Sequence, residues 1–346
     1  MTKVNIWFNR TFGSTYHIIQ ELKRNNNSFE FTFFGTHTNL NSVFLQACDF
    51  VENEPILNDV EYLNYALSFC KRNNIDIFLP GEFSASIISR NKEIFESIGI
   101  KIGLAFSSFY IDVLSSKSKT YEFLREHIPE HIPTYYVVNN SDEFLNIYNK
   151  FRFEKKIMCF KPNKGLGGLG FRIVDDSISE FKHLMSYPSH RNTFDYYYRI
   201  LQNEGTFNSL ILMEYMNGNE ISIDCLATSG NVAFSVAKEK KGNLRVVKHD
   251  IQLHELCNKI CKVLSLDYLF NVQFINGRNQ HLYLMDLNPR PSGGLYYASK
   301  AGYSMISAAI YSILKGEIPY FPLLPEKTFI ELEDSIEYKN IVGSQS

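Results

Sequence analysis

Four glycines within six residues, Gly165, Gly167, Gly168 and Gly170, lie in the run KKIMCFKPNKGLGGLGFRIV. What flanks them constrains the chain more than any other feature. The spacing Gly165-x-Gly167-x-x-Gly170 matches the GxGxxG pattern of dinucleotide-binding turns, which requires a strand before it and a helix after it. Here Ile157 to Lys161 and Phe171 to Val174 are both strand-like. The glycines therefore tip a β-hairpin. With no Cβ in the way, the amides of such a hairpin can approach phosphates, and Lys161 on the incoming strand supplies a point charge. A mobile surface hairpin is the alternative that this segment alone leaves open. The Walker pattern GxxxxGK[ST] is absent.

The hairpin sits in a chain of 346 residues, which exceeds the span of a single hydrophobic core and predicts two or three domains. The first hundred residues alternate β-rich runs (Lys3–Phe8, Phe29–Phe34, Ile75–Pro80, Ile98–Leu104) with amphipathic helical stretches, STYHIIQELKRN, NDVEYLNYALSFCKRN and SASIISRNKEIFESI. That is the pattern of a doubly wound α/β domain. Its first strand-to-helix turn, Asn9 to Ser14, holds one glycine and no dinucleotide fingerprint. Ligands of such sheets bind beyond the strand C-termini. Glu82, just past IDIFLP, reads either as a substrate contact or as a charge complementing a helix N-terminus. A helix opening at SSKSKT and running to about His127, followed by Ile-Pro pairs, leads into a strand at Tyr135 to Val138 and a new domain from about residue 110.

Lys plus Arg number 35 against 37 Asp plus Glu, so no basic excess exists to neutralise nucleic acid. No run of ~18 apolar residues and no apolar leader is present, and a cytoplasmic protein that neither enters a membrane nor binds nucleic acid is expected. The six cysteines are scattered and read as reduced core thiols. Cys257 and Cys261, at i,i+4, have the one spacing open to a metal, without a second ligand pair to accompany it.

Two further clusters carry polar chemistry inside β-rich sequence. In ILMEYMNGNEISID a strand ends at Met213-Glu214 and another begins at Glu220; the connector offers backbone groups at Tyr215 and Met216 to an adenine edge, Glu214 an acceptor for its amino group, and Glu220 an acceptor for ribose hydroxyls. A solvated hairpin with two surface glutamates is the bland alternative. In NVQFINGRNQHLYLMDLNPRPSGG, Asn276-Gly277 predicts a tight hairpin turn. Period-2 alternation puts Leu284, Asp286 and Asn288 on one face, and an antiparallel return brings Gln273 opposite it. One carboxylate with two amide oxygens suits Mg²⁺, with Mn²⁺ as the alternative metal. Arg290 follows, placed to clamp a transferring phosphoryl group.

At these residues the chain resembles the ATP-grasp superfamily over roughly residues 110 to 320. The resemblance makes Lys117, with Lys119 as the alternative, the first phosphate-binding lysine and Lys161 the second. Gly165, Gly167, Gly168 and Gly170 become the flexible flap. Glu214 and Met216 become the adenine contacts, Glu220 the ribose acid, and Gln273, Asp286 and Asn288 the metal ligands. Arg290 matches the family's Asn-Pro-Arg motif, and with Lys161 it is a catalytic candidate. Ser292 and Gly293 of PSGG, with Glu82, are substrate candidates. The run from NVQF through ASKAGYSM is similar to the carbamoyl phosphate synthetase large subunit, but the chain is about half that size with one such unit. Asp286 stands where the family has Glu, and Ser116 where it has Asp.

The fold the resemblance implies mixes α/β and α+β parts: a Rossmann-like pre-ATP-grasp domain over 1–110, a two-lobed ATP-grasp domain over 111–325, and a tail over 326–346. The two lobes would divide at about 130–213, which bears the flap, and 214–325. The activity it implies is ADP-forming ligation of a small-molecule carboxylate, of amino-acid or peptide-like type, to an amine through an acyl phosphate, with ATP and Mg²⁺. A kinase that stops at a phosphorylated product and a regulatory ATP-binding protein are the alternatives, and a homodimer is one assembly it allows.

Overall fold

The computed structural model describes residues 2–24, 29–165, 168–277, 280–332 and 335–338. They form two units: Met1–Ile111 with Glu220–Gln273 and Asn288–Ser346, and Asp112–Asn219 with Phe274–Leu287. No helix among the described residues is long and apolar enough to cross a membrane.

The first unit opens with an all-parallel sheet of β1 (Thr2–Asn9), β2 (Phe29–His37), β3 (Phe50–Asn53), β4 (Ile77–Leu79) and β5 (Lys101–Ile102), in the order β3-β2-β1-β4-β5. The strand order reverses between β1 and β4, which is where open α/β sheets form their crevice. The edge strand β3 has no alternating apolar signal, and its Phe50 is exposed. The stretch SASIISRNKEIFESI, expected as one helix, is two, Glu82–Arg90 and Lys92–Ser97. Asn91 leaves helical geometry at φ −120° and turns its amide back onto the Ile87 carbonyl at 2.8 Å. That side-chain bond competes with the helical ladder and stops it.

Trp7, the single tryptophan, lies fully buried in this unit. Its ring stacks on Phe78 at 3.9 Å and Phe69 at 4.4 Å between centroids, and its Nε1 donates to Thr36 Oγ1 at 3.0 Å. The polar edge is thus satisfied while both faces are covered.

The second unit holds a sheet of β6 (Tyr135–Asn140), β7 (Met158–Pro162), β8 (Arg172–Val174), β9 (Arg191–Asn192) and β10 (Thr206–Glu214), in the order β6-β10-β7-β8-β9. Strands β7 and β8 are antiparallel neighbours joined through the glycine-rich segment. An aromatic core of Phe144, Tyr148, Phe160, Phe194 and Tyr197 covers the sheet with helices Ser141–Phe153 and Phe194–Glu204.

A third sheet comprises β11 (Glu220–Thr228), β12 (Asn231–Lys241), β13 (Leu244–Lys248), β14 (Tyr268–Asn276), β15 (Leu282–Asn288) and β16 (Lys327–Ile330), in the order β15-β14-β11-β12-β13-β16. Strands β10 and β11, flanking Asn217-Gly218, join different sheets rather than pairing as a hairpin. Glycine is required at 218, since a Cβ there would lie 1.8 Å from the Asn276 carbonyl oxygen. Asn276-Gly277 is not a two-residue turn: Gly277 N donates to His281 O at 2.8 Å, closing a longer connection. A Cβ at 277 would meet the Tyr283 ring at 2.5 Å, which explains this glycine without any turn requirement. In the stretch expected as a tail, Lys327–Ile330 pairs with β13 as an edge strand.

Helix Ile251–Val263 buries Leu253, Leu256, Cys257, Ile260 and Cys261, an i, i+3, i+4, i+7, i+8 stripe. Both cysteines are therefore core, and burial pushes the Cys261 thiol up to about 12. Within the first unit one apolar core runs from Ile18, Ile19 and Leu22 through Phe33 to Phe234, Leu295, Met305 and Ile310. Trp7→Ala should cost about 3–5 kcal/mol by the cavity it leaves, seen as a lower midpoint in urea unfolding followed by far-ultraviolet circular dichroism.

Candidate functional site

In the second unit two lysines reach one stretch of β15. Lys161 points inward from β7, is 7% exposed, and donates from Nζ to the Met285 carbonyl at 2.7 Å. Lys117 opens helix Lys117–Arg125, whose N-cap Ser116 accepts from the Lys119 amide. The Lys117 Nζ lies 3.7 Å from Asp286 Oδ1 and donates to the Gly165 carbonyl at 2.9 Å. A cation at a helix N-terminus opposes the macrodipole, so this lysine does nothing for its own helix. Lys119, the alternative, turns instead to Asp112 and is half exposed. The start of this helix is tied to the end of β7, since Asn163 accepts the Lys117 amide on its carbonyl at 3.0 Å and the Ser118 amide on its side chain at 2.9 Å.

The glycine segment follows directly. Gly165, Gly168 and Gly170 take φ of +139°, +75° and +75°, values that side chains disfavour. A Cβ at 170 would lie 2.7 Å from Pro162. Gly167 lies outside the described residues. At the end of β10, Glu214 pairs with Lys156 at 3.4 Å, and the Tyr215 amide donates to the Ile157 carbonyl at 2.7 Å. Arg191 lies over the Tyr215 ring at 4.9 Å. The Glu214-Tyr215-Met216 connector therefore leaves the sheet from a fixed point.

In the first unit the Asn-Pro-Arg segment meets the N-terminal sheet. Gly81 donates to Asn9 Oδ1 at 2.7 Å, which fixes the start of helix Glu82–Arg90 beyond the C-terminal ends of β1 and β4. Glu82 Oε2 accepts from Arg290 Nε at 2.8 Å, and Arg290 also donates to Asn288 Oδ1 at 3.1 Å. Its guanidinium lies 4.5 Å from the Phe12 ring centroid. Three side chains singled out in the sequence for different roles thus form one group.

The same unit contains a cavity of about 300 Å³. Glu220, Gln273, Ser292 and Gly293 line it, and so do Lys238, Lys240 and Arg245, which the sequence reading did not select. Lys238, 5% exposed at its side chain, is ion-paired with the buried Asp224 and donates to Ser292 Oγ at 2.8 Å. Asn271 Nδ2 donates to Asp224 Oδ1 at 2.9 Å. A signal existed: Asp224 and Asn271 interrupt apolar strand runs, and buried polar groups require partners. Among the described residues no group of three or more His, Cys, Asp or Glu is placed to hold a metal ion.

Comparisons with known proteins add to this geometry. Residues 206–333 match the sequence family described as ATP-grasp in the biosynthetic pathway with Ter operon. N5-carboxyaminoimidazole synthetase from Staphylococcus aureus superposes with a TM-score of 0.65 at 13% identity, over 95% of this chain and 83% of that one. The chain has the ATP-grasp fold. Biotin carboxylase from Campylobacter jejuni, solved as a β-γ-ATP complex, shares this fold at TM-score 0.63 and 16% identity, over 94% and 74% of the two chains. L-amino acid ligase from Bacillus licheniformis shares it at 0.61 and 12%, over 91% and 75%. Comparison with curated protein sequences gives no match.

Within this ATP-grasp fold the Lys238–Asp224 pair is structural as well as cavity-facing. Lys238→Met should destabilise the protein by about 3–5 kcal/mol, because it leaves the Asp224 carboxylate buried without its cation. Adding Asp224→Leu should recover most of that loss. Urea unfolding of the single and double variants measures both.

Proposed function

We propose that this chain is an ATP- and Mg²⁺-dependent, ADP-forming ligase that joins a small-molecule carboxylate to an amine through an acyl phosphate. The observation that carries the reading is the convergence of Lys161 and Lys117 on Met285-Asp286 beside the glycine hairpin. Two ammonium groups and a carboxylate drawn together beside a glycine-rich hairpin suit a nucleotide's phosphates. The solved ligases with this fold and the family's biosynthetic description support the same class.

In this reading Lys117 and Lys161 neutralise the phosphates, and Gly165, Gly167, Gly168 and Gly170 let the hairpin close over them and exclude water. Tyr215 and Met216 present backbone to the adenine, with Glu214 accepting from its amino group and Glu220 from the ribose. Gln273, Asp286 and Asn288 are oxygen donors only, the donor chemistry that hard divalent cations prefer, so the set fits Mg²⁺ and equally Mn²⁺. Bound there, the metal would supply charge neutralisation at phosphate oxygens. Arg290, held by Glu82 and Asn288, meets the charge that develops as the phosphoryl group moves to the carboxylate oxygen. The amine then attacks the acyl carbon and phosphate leaves. Positioning and electrostatics suffice, without a dedicated base.

MgATP at ~100 times its dissociation constant should stabilise the protein by roughly 2.7 kcal/mol, read as a rise in melting temperature. Screening carboxylates with hydroxylamine as the amine should yield a hydroxamate with ADP and phosphate, and Arg290→Ala should lower turnover about 10²- to 10³-fold. Release of AMP and pyrophosphate would mean adenylation and overturn the assignment. ADP release without any amine requirement would point to a kinase.

A further inference from the structure

Strands β12 and β13 place Lys240 and Arg245 directly opposite each other. Lys238, two residues before Lys240, shares that face, and all three line the 300 Å³ cavity. Like charges in directly opposed positions destabilise a sheet, so folding alone does not account for this pair. Lys238 is neutralised by Asp224, whereas Arg245 donates to the Gly242 and Leu244 carbonyls at 3.2 and 3.1 Å and meets a carboxylate at the cavity rim. There Glu331, just beyond the edge strand β16, accepts from its guanidinium at 3.1 Å and is 57% exposed. A partner so exposed contributes little and is readily replaced. Tyr297 also lines the cavity; its hydroxyl, buried beside Tyr296 and Glu331, completes no hydrogen bond of normal length and angle among the described residues.

We infer that this cavity receives the acceptor substrate, and that the acceptor is dianionic: besides the carboxylate that reacts, it carries a second carboxylate or a phosphate-type group, which displaces Glu331 from Arg245 and sits between Arg245 and Lys240. The inference rests on the ligase reading for the role of the reacting carboxylate. Its anion site stands on the cross-strand pair. Glu331 is then the chain's own stand-in for the ligand's second anion, and the Tyr297 hydroxyl is a donor awaiting it. The other lining carboxylate is Glu220.

The test is calorimetric titration of the full chain, with and without MgADP, using butyrate, glutarate and 3-phosphonopropionate. Glutarate, 3-phosphonopropionate or both should bind about tenfold or more tightly than butyrate, the scale of one charge-assisted hydrogen bond. The stronger of the two identifies the second group as carboxylate or phosphate. Arg245→Gln and, separately, Lys240→Gln should reduce that preference to the butyrate level, and Glu331→Gln should strengthen binding by removing the competing carboxylate. Equal affinity for all three probes, binding by none, or a preference that survives both Arg245→Gln and Lys240→Gln overturns the inference. Failure of MgADP to bind would count against the ligase reading alone, because the nucleotide-free titration still reports on the anion site.

Discussion

The first unit depends on one apolar core assembled from distant parts of the sequence. Ile18, Ile19 and Leu22, near the start of the chain, share it with Leu295, Ala298, Met305 and Ile306, near its end. Burying these faces against one another is the driving force available at this scale, at roughly 25 cal/mol per Å². Polar groups are then placed by default. Once Leu295 and Ala298 are seated, the preceding Asn288–Gly294 segment has little freedom, and Arg290 is delivered to Glu82 rather than to solvent.

Charge is treated differently at two depths of this molecule. Lys238 and Asp224 are both nearly inaccessible, so each requires the other. Arg245 and Glu331 meet at an edge, where water competes and the pairing is weak. The same β12–β13 face therefore carries one fixed charge pair and one exchangeable one. That difference follows from the sheet order, in which β12 is interior and β16 closes the edge.

Much of this was legible from local pattern. The strand runs on both sides of the glycine segment define β7 and β8, and the alternating first hundred residues define a parallel sheet, because period and turn chemistry are local properties. The short edge strands β3 and β16 left no trace, since an exposed edge needs no apolar alternation. The helix break at Asn91 depends on a side-chain bond to Ile87 that competes with a continuous apolar stripe. Pairings such as Glu82 with Arg290, 208 residues apart, and Arg245 with Glu331 follow from tertiary folding alone. Lys238 was hidden because a lysine in KEKK reads as surface; only its inward register reveals it.

The carbonyl of Met285 holds the ammonium of Lys161, and that of Gly165 holds Lys117. Long lysine stems lose up to about 2 kcal/mol of rotamer entropy when fixed. In this fold that loss is incurred during folding, before any ligand arrives. An incoming polyanion would exchange one oxygen acceptor for another at each ammonium, leaving the stems where they are. Such preorganisation favours affinity without demanding large rearrangement of the lysines.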